Sequence, residues 1–293
     1  MDVSSAVGAV SATRMVSGDH ACLGFDDDES LWEIRAAYAD IGVSRDENVV
    51  LFTDPATTPD IAAERLYAHG FHHGAALTNG QLVVRNEAPG ASPGSSGGFA
   101  PAERVRLWME LTLQARSQGY SGIRIMGDMG WAAEPDCDHD LLVEYEAGLS
   151  PLFADIGFTA ICEYDRRKFG HDLLGRVLRA HPQHVLPRLG ALDATRSGTG
   201  LRVAGEADLN TREEFVAALA EAFSGPERVT VLDLTELCFM DVRSAAALVH
   251  MASRHLDGQA LEVRCRPEQS TVIRLCGSPR VPQLVIDERS SSQ

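Results

Sequence analysis

Residues 20–52 read HACLGFDDDESLWEIRAAYADIGVSRDENVVLF, and their pattern decides the fold. HACLGF is a short apolar run of the strand type. ESLWEIRAAYADIG brings Leu31, Ile34 and Tyr38 onto one helical face, with Gly42 placed to stop the helix. NVVLFTD then returns as a buried strand. A strand, an amphipathic helix and a second buried strand form a βαβ unit, which implies a parallel sheet covered by helices. The alternation continues downstream. PDIAAERLYAHG opens with Pro59 and closes with Gly70, the usual helix asymmetry. QLVVRNEA is the next strand, and the Gly, Pro and Ser run APGASPGSSGG at 88–98 predicts a flexible surface loop. PAERVRLWMELTLQARSQG predicts the longest helix, with Val105, Trp108, Met109 and Leu113 as its core stripe. A strand in GIRIMGDMGW, a helix over about 141–156, the strand FTAICEYD and the helix HDLLGRVLRAH, closed by Pro182, complete the series.

A chain of 293 residues is long for one domain and comfortable for two. The turn-rich stretch RLGALDATRSGTG, from Arg188 to Gly200, is the expected linker. Beyond it come the strand LRVAGEAD, the helix TREEFVAALAEAF, the strand RVTVLDLTEL, a helix from about Arg243 to Leu256, the strand ALEVRCR, the helix QSTVIRLCG and a last strand near VPQLVI. These make a complete small α/β domain, and SSSQ reads as a disordered tail.

Lys and Arg total 26 against 42 Asp and Glu, a formal charge of -16. That balance opposes phosphate backbones and anionic lipid, so proteins or small molecules are the expected partners, with no direct nucleic-acid or membrane binding. Cys22, Cys137, Cys162, Cys238, Cys265 and Cys276 form no CxxC pair and no zinc-finger spacing, which points to a reducing compartment. The N-terminus MDVSSAVGAVSATRMVSGDH lacks the strong apolar core of a secretion signal. The longest apolar runs, such as AAALVHMA, fall well short of the roughly 18 residues of a membrane span. A cytoplasmic location follows as the expectation.

No P-loop, Rossmann fingerprint, GxSxG elbow or HExxH motif is present. The first turn, GFDDDES, puts Asp26, Asp27, Asp28 and Glu29 where a phosphate cradle needs backbone N–H groups and a lysine, so it is a poor anion site. Helix N-terminal charges are the plainer reading of those acids. His72 and His73 are adjacent and read as a solvated loop pair. Three clusters are expected at or beside the C-terminal end of a strand, where open parallel sheets bind ligands. Asp19, His20 and Cys22 put an imidazole and a thiol on one strand face; two ligands fix no metal, and a hydrogen-bonded core histidine is the alternative. Arg124 to Trp131 follows a strand, with Asp128 and Trp131 set either to orient a partly apolar ligand or to cap a turn and plug the sheet edge. Cys162, Tyr164 and Asp165 stand with Glu146 and His181, Asp165 pointing away from the other two strand residues; core packing around a satisfied tyrosine is the alternative. The candidate ligand-binding residues are therefore His20, Cys22, Arg124, Asp128, Trp131, Glu146 and Tyr164. No catalytic residue, metal site or cofactor is assigned.

DHACLGFDDDESL, GFAPAERVRLWMELTLQARSQGYSGIRIMGDMGW, EYEAGLSPL, ICEYDRRKF and AHP together resemble the MEDS domain, a sensory module named from methanogen and methylotroph regulators. The likeness covers residues 14–187. It implies a degenerate RecA/KaiC-type fold, a mostly parallel sheet with flanking helices that has lost its nucleotide-binding loops, and a sensor of small ligands such as hydrocarbon derivatives. The family's acidic-Met-x-Trp motif usually begins with Glu; Asp128, Met129 and Trp131 match it with a shorter acid.

Residues 199–286 resemble a STAS domain, the anti-sigma-factor antagonist type, which leaves 188–198 as linker and 287–293 as tail. Gly205 and Asp208 in LRVAGEADLNT, and Asp233, Phe239 and Asp241 in VTVLDLTELCFMD, match the family's strands and turns. Phosphorylatable members continue the Asp with Ser, then Ser or Thr, then Gly. Here Asp241, Val242, Arg243 and Ser244 stand instead, so both usual hydroxyls are gone and Ser244 occupies the glycine position. Asp208, Asp241, Val242, Arg243 and Ser244 are the candidate partner-binding or phosphoswitch region, a simple helix cap being the alternative. The expectation is a non-catalytic signalling protein whose partner is an anti-sigma factor, a kinase-type protein or another regulator. A cryptic hydrolase or phosphotransferase using Asp19, His20, Asp128 and Glu146, and a dimerisation scaffold, are the competing readings, and a homodimer stays open.

Overall fold

A computed structural model describes residues 8–86, 99–153, 157–224, 228–255 and 259–289. The expected loop at 88–98 and the tail residues 290–293 lie outside the described residues. Backbone packing divides the chain into two compact units, Ala12–Leu189 and Met1–Ser11 with Gly190–Gln293. The short strand β1 (Gly8–Val10) falls in the second of these.

The larger unit runs β2 (His20–Phe25), α1 (Asp28–Ser44), β3 (Asn48–Phe52), α2 (Pro59–Ala68), the single turn α3 (Gly74–Thr78), β4 (Leu82–Arg85), α4 (Pro101–Ser117), β5 (Ile123–Asp128), α5 (His139–Phe153), β6 (Phe158–Asp165), α6 (His171–Ala180) and β7 (Gln183–Val185). Its strands lie in the order β7-β2-β6-β5-β3-β4 and pair in parallel throughout. Every residue of β2 and β3 is buried, as expected of strands covered by helices on both faces. Asp27 caps α1 by accepting from the Ser30 N–H at 2.8 Å, and Asp28 and Glu29 fill the first turn, where the helix dipole favours acids.

Two details depart from the sequence reading. Gly42 does not stop α1, which continues to Ser44; an added Cβ there would meet Val49 Cγ2 at 2.6 Å and Arg124 Cδ at 2.8 Å, so the glycine permits close packing of helix on sheet. On α4 the buried residues are Arg104, Trp108, Thr112 and Ala115, whereas Met109 is 47 % and Leu113 65 % exposed. Only Trp108 of the expected buried stripe keeps its full burial.

The smaller unit continues with β8 (Leu192–Ser197), β9 (Gly200–Ala207), α7 (Arg212–Ser224), β10 (Val231–Met240), α8 (Val242–His255), β11 (Leu261–Cys265), α9 (Pro267–Leu275) and β12 (Leu284–Glu288). Its sheet order is β12-β11-β10-β9-β8, parallel except for the antiparallel β8–β9 pair. The expected linker therefore contains a strand. Ser197 pairs with Gly200 across a two-residue turn whose Gly198 has φ 55°, so the Gly-rich run is a hairpin turn. At the other end β12 takes in Asp287 and Glu288, paired with Arg264 and Cys265, which the sequence reading assigned to the tail. Phe215, Leu219, Leu232, Leu234, Leu248 and Ile273 anchor a core that belongs to this unit alone.

Candidate functional site

Period-two alternation sorts the two central strands onto two faces. β2 and β6 pair with His20 opposite Ala160, Cys22 opposite Cys162 and Gly24 opposite Tyr164. Those positions face one way, while Glu163 faces the other, where Arg35 of α1 grips it through Nε at 3.0 Å and Nη2 at 2.6 Å. On the first face, α5 contributes Glu146, and His181 follows the last residue of α6. The result is a buried quartet. Glu146 Oε2 lies 3.3 Å from His20 Nε2, 3.3 Å from His181 Nε2 and 3.5 Å from Cys162 Sγ, and His20 Nε2 lies 3.4 Å from that sulfur. Tyr164 OH donates to Glu146 Oε1 at 2.8 Å. His181 Nδ1 donates to the Val177 carbonyl at 2.8 Å, while its Nε2, 3.3 Å from Glu146 Oε2, is buried and makes no hydrogen bond.

Burial pushes His20 towards its neutral form, as does the neighbouring His181. Burial alone would raise the Glu146 carboxyl, but the adjoining His181 and His20 outweigh it and hold the group well below the usual carboxylate range. The Cys162 thiol is driven up by burial and further by Glu146, and Cys22 beside it likewise. His20 of the first sequence cluster thus meets Glu146, Cys162, Tyr164 and His181 of the third, whereas Asp165 lines a separate cleft. Because His20 is the first residue of β2, this meeting point is not at the C-terminal strand ends expected. Cys162 and His181, which the candidate ligand set omits, belong to it. The sequence reading counted two metal ligands where the fold assembles four donor-bearing side chains, all with donor atoms within 4.8 Å of one another.

A separate cleft of about 740 Å³ opens at the C-terminal ends of β2, β3, β5 and β6 and is lined by Asp28, Arg35, Asp54, Asp128, Asp165 and Lys168 among others. It is crossed by ion pairs, Arg167 to Asp165 and Asp28, and Arg65 to Glu29, so the acidic turn holds guanidinium groups. Asp128 lines this cleft, accepts from the Gly130 N–H at 2.6 Å, and has its carboxyl pushed up by burial. Trp131 instead packs under Arg104, whose guanidinium carbon lies 4.0 Å from a Trp131 ring centroid. Arg124 is in neither place. It is fully buried, bonded to Glu47 at 2.5 Å and to the Met15 carbonyl, and stacked 4.4 Å over the Tyr38 ring, so it serves packing and is removed from the ligand set. The sequence gives no sign of this, because Glu47 lies in a turn remote in the chain.

In the smaller unit Asp241 precedes α8 and accepts from the Ser244 N–H at 2.6 Å, while Arg212 Nη2 donates to its other oxygen at 2.9 Å. Burial would raise this carboxyl, but the Ser244 N–H and Arg212 hold it below the ordinary value. Ser244 itself is completely buried. Asp208 closes a tight turn before α7 by accepting from the Asn210 and Thr211 N–H groups. Val242 is 65 % and Phe239 52 % exposed, flanking Asp241, and Arg243 is exposed beside them.

Two family models match the chain. The one described as MEDS, methanogen/methylotroph DcmR sensory domain, covers residues 19–182, and the one described as Mlab, STAS domain, covers residues 191–278. No curated protein is similar enough to match.

Proposed function

The chain belongs to the MEDS sensory family, matched over more than half its length, and from that premise we propose that it is a non-catalytic, cytoplasmic signalling protein whose larger unit registers a small ligand and whose STAS unit docks on a protein partner of the anti-sigma-factor or kinase type. The observation that carries this reading is the surface at the start of α8. Phe239 and Val242 expose apolar side chains on either side of a capped Asp241, whereas the Ser244 hydroxyl is sealed inside. Such a surface suits docking, and a buried hydroxyl does not suit phosphoryl transfer. The strand order and the ion-paired, lysine-free turn at 24–30 support a degenerate RecA/KaiC-type sheet with its nucleotide loop lost. The 0–1 % exposure of His20, Glu146 and His181 supports recognition of something as small as an ion over turnover of a larger substrate. Six free cysteines support a reducing compartment, and among the described residues no helix is long and apolar enough to cross a membrane.

Full-length chain and its Phe239→Glu, Val242→Glu double variant are used as paired baits. A protein held by the first and released by the second, with circular dichroism of the two unchanged, supports docking at α8. Equal retention by both baits, or none by either, removes this role.

A further inference from the structure

The geometry points to the His20, Glu146, Cys162 and His181 quartet as a closed binding site for one divalent ion of zinc type, with all four coordination positions supplied by the chain. This deepens the sensory reading by naming the class of ligand that the larger unit takes, and it rests on that reading for its signalling consequence.

Distances separate the two ways such a cluster can be held together. A buried imidazolium–carboxylate pair closes to roughly 2.7–2.9 Å. Both His–Glu146 approaches here stop at 3.3 Å. Zinc bonds of roughly 2.0–2.3 Å to N, O and S ligands arranged tetrahedrally give ligand–ligand edges of roughly 3.3–3.6 Å. Four edges of the quartet measure 3.3, 3.3, 3.4 and 3.5 Å. A second, independent observation is His181 Nε2. That atom is buried, makes no hydrogen bond and stands 3.3 Å from a carboxylate oxygen, as a ligand atom facing a shared centre would.

The outer contacts match those of a metal centre. His181 Nδ1–H is fixed by the Val177 carbonyl and Glu146 Oε1 by the Tyr164 hydroxyl, which sets the orientation of two ligands before any ion arrives. Two imidazoles, a thiolate and a carboxylate suit a borderline ion; magnesium and calcium take all-oxygen sets. Charge closes as well. Loading releases one proton from Cys162 Sγ, and the ion's two positive charges then balance the thiolate and the Glu146 carboxylate, so a site inside the core becomes neutral.

The test is cobalt(II) and zinc(II) titration of full-length protein stripped by a chelator and shown by circular dichroism to stay folded. The expected result is one cobalt per chain with the intense visible bands of tetrahedral coordination and a thiolate-to-cobalt charge-transfer band, all displaced by one equivalent of zinc. Cys162→Ser should abolish the charge-transfer band, and His181→Ala should weaken binding at least tenfold. The bands of the unaltered protein report thiolate ligation without any variant, so a variant that fails to fold leaves the test intact. No stoichiometric uptake by folded protein, octahedral cobalt bands, or uptake unchanged in both variants, the mark of an adventitious surface ion, would each overturn the site. Partner retention by the α8 surface is scored on the same samples. Retention without ion uptake sinks the site alone, and uptake without retention upholds the site while sinking the signalling role.

Discussion

Arg124 illustrates how a buried charge is held at the scale of one residue. Its guanidinium has a carboxylate, a carbonyl and an aromatic face as neighbours, and the Gly42 gap in α1 gives its stem room. Removing one member of such a pair leaves the other charge uncompensated, which costs about 3–5 kcal/mol. Arg124→Met should therefore destabilise the larger unit by that amount in urea unfolding, and a loss below about 1 kcal/mol would show that Glu47 is already hydrated. The same residue marks the reach of sequence reasoning. A position on a strand leading to a candidate loop looks available to a ligand, and nothing local reveals that Glu47 fills its reach. The parity of His20 with Cys22 and of Cys162 with Tyr164 was legible, because strand alternation is local. The meeting of those strands with Glu146 and His181 was not, since it depends on β2 pairing with β6 and on α5 and α6 packing over the same face.

Elements were the most legible scale wherever apolar periodicity agreed with burial, as in β2, α1, β3 and β6. On α4 it did not agree. Arg104 lies buried by stacking on Trp131 and Phe99, and Thr112 by bonding the Trp108 carbonyl, so polar residues occupy the covered stripe while Met109 and Leu113 face out. Leu113→Lys should change stability by less than about 0.5 kcal/mol. Trp108→Ala, which also removes the hydrogen bond to Tyr145 OH, should cost about 3–5 kcal/mol. Comparable losses from the two would restore the phase expected from sequence. α8 offers a pH-dependent counterpart through its Asp241 cap. The folded carboxyl titrates below its unfolded value, so its contribution is complete above the unfolded pKa of about 3.9 and disappears as pH falls through the folded one. Asp241→Ala should cost about 1–2 kcal/mol at neutral pH. That deficit should narrow in urea titrations carried below about pH 3.9, and a constant gap would mean that the charge plays no part in the cap.

Over the whole molecule the two-unit division was legible from composition and alternation, and the break between Leu189 and Gly190 falls inside the expected 188–198 linker, most of which the fold turns into strand β8. Each unit owns a separate core, so a signal must pass as a coupling free energy between two folded bodies. Linkage makes that coupling reciprocal. If the ion in the larger unit changes the affinity of the α8 surface for its partner, the partner must change the affinity for the ion by the same factor, typically about 5–150-fold or 1–3 kcal/mol. Calorimetric titration of a partner recovered by the full chain, into ion-loaded and stripped protein, gives one ratio; zinc titration with and without that partner gives the other. Equal ratios different from one make the chain a sensor in the thermodynamic sense. Ratios of one in both directions would leave the ion as a structural brace for β2, β6, α5 and α6, and the docking surface as a module that responds to something else.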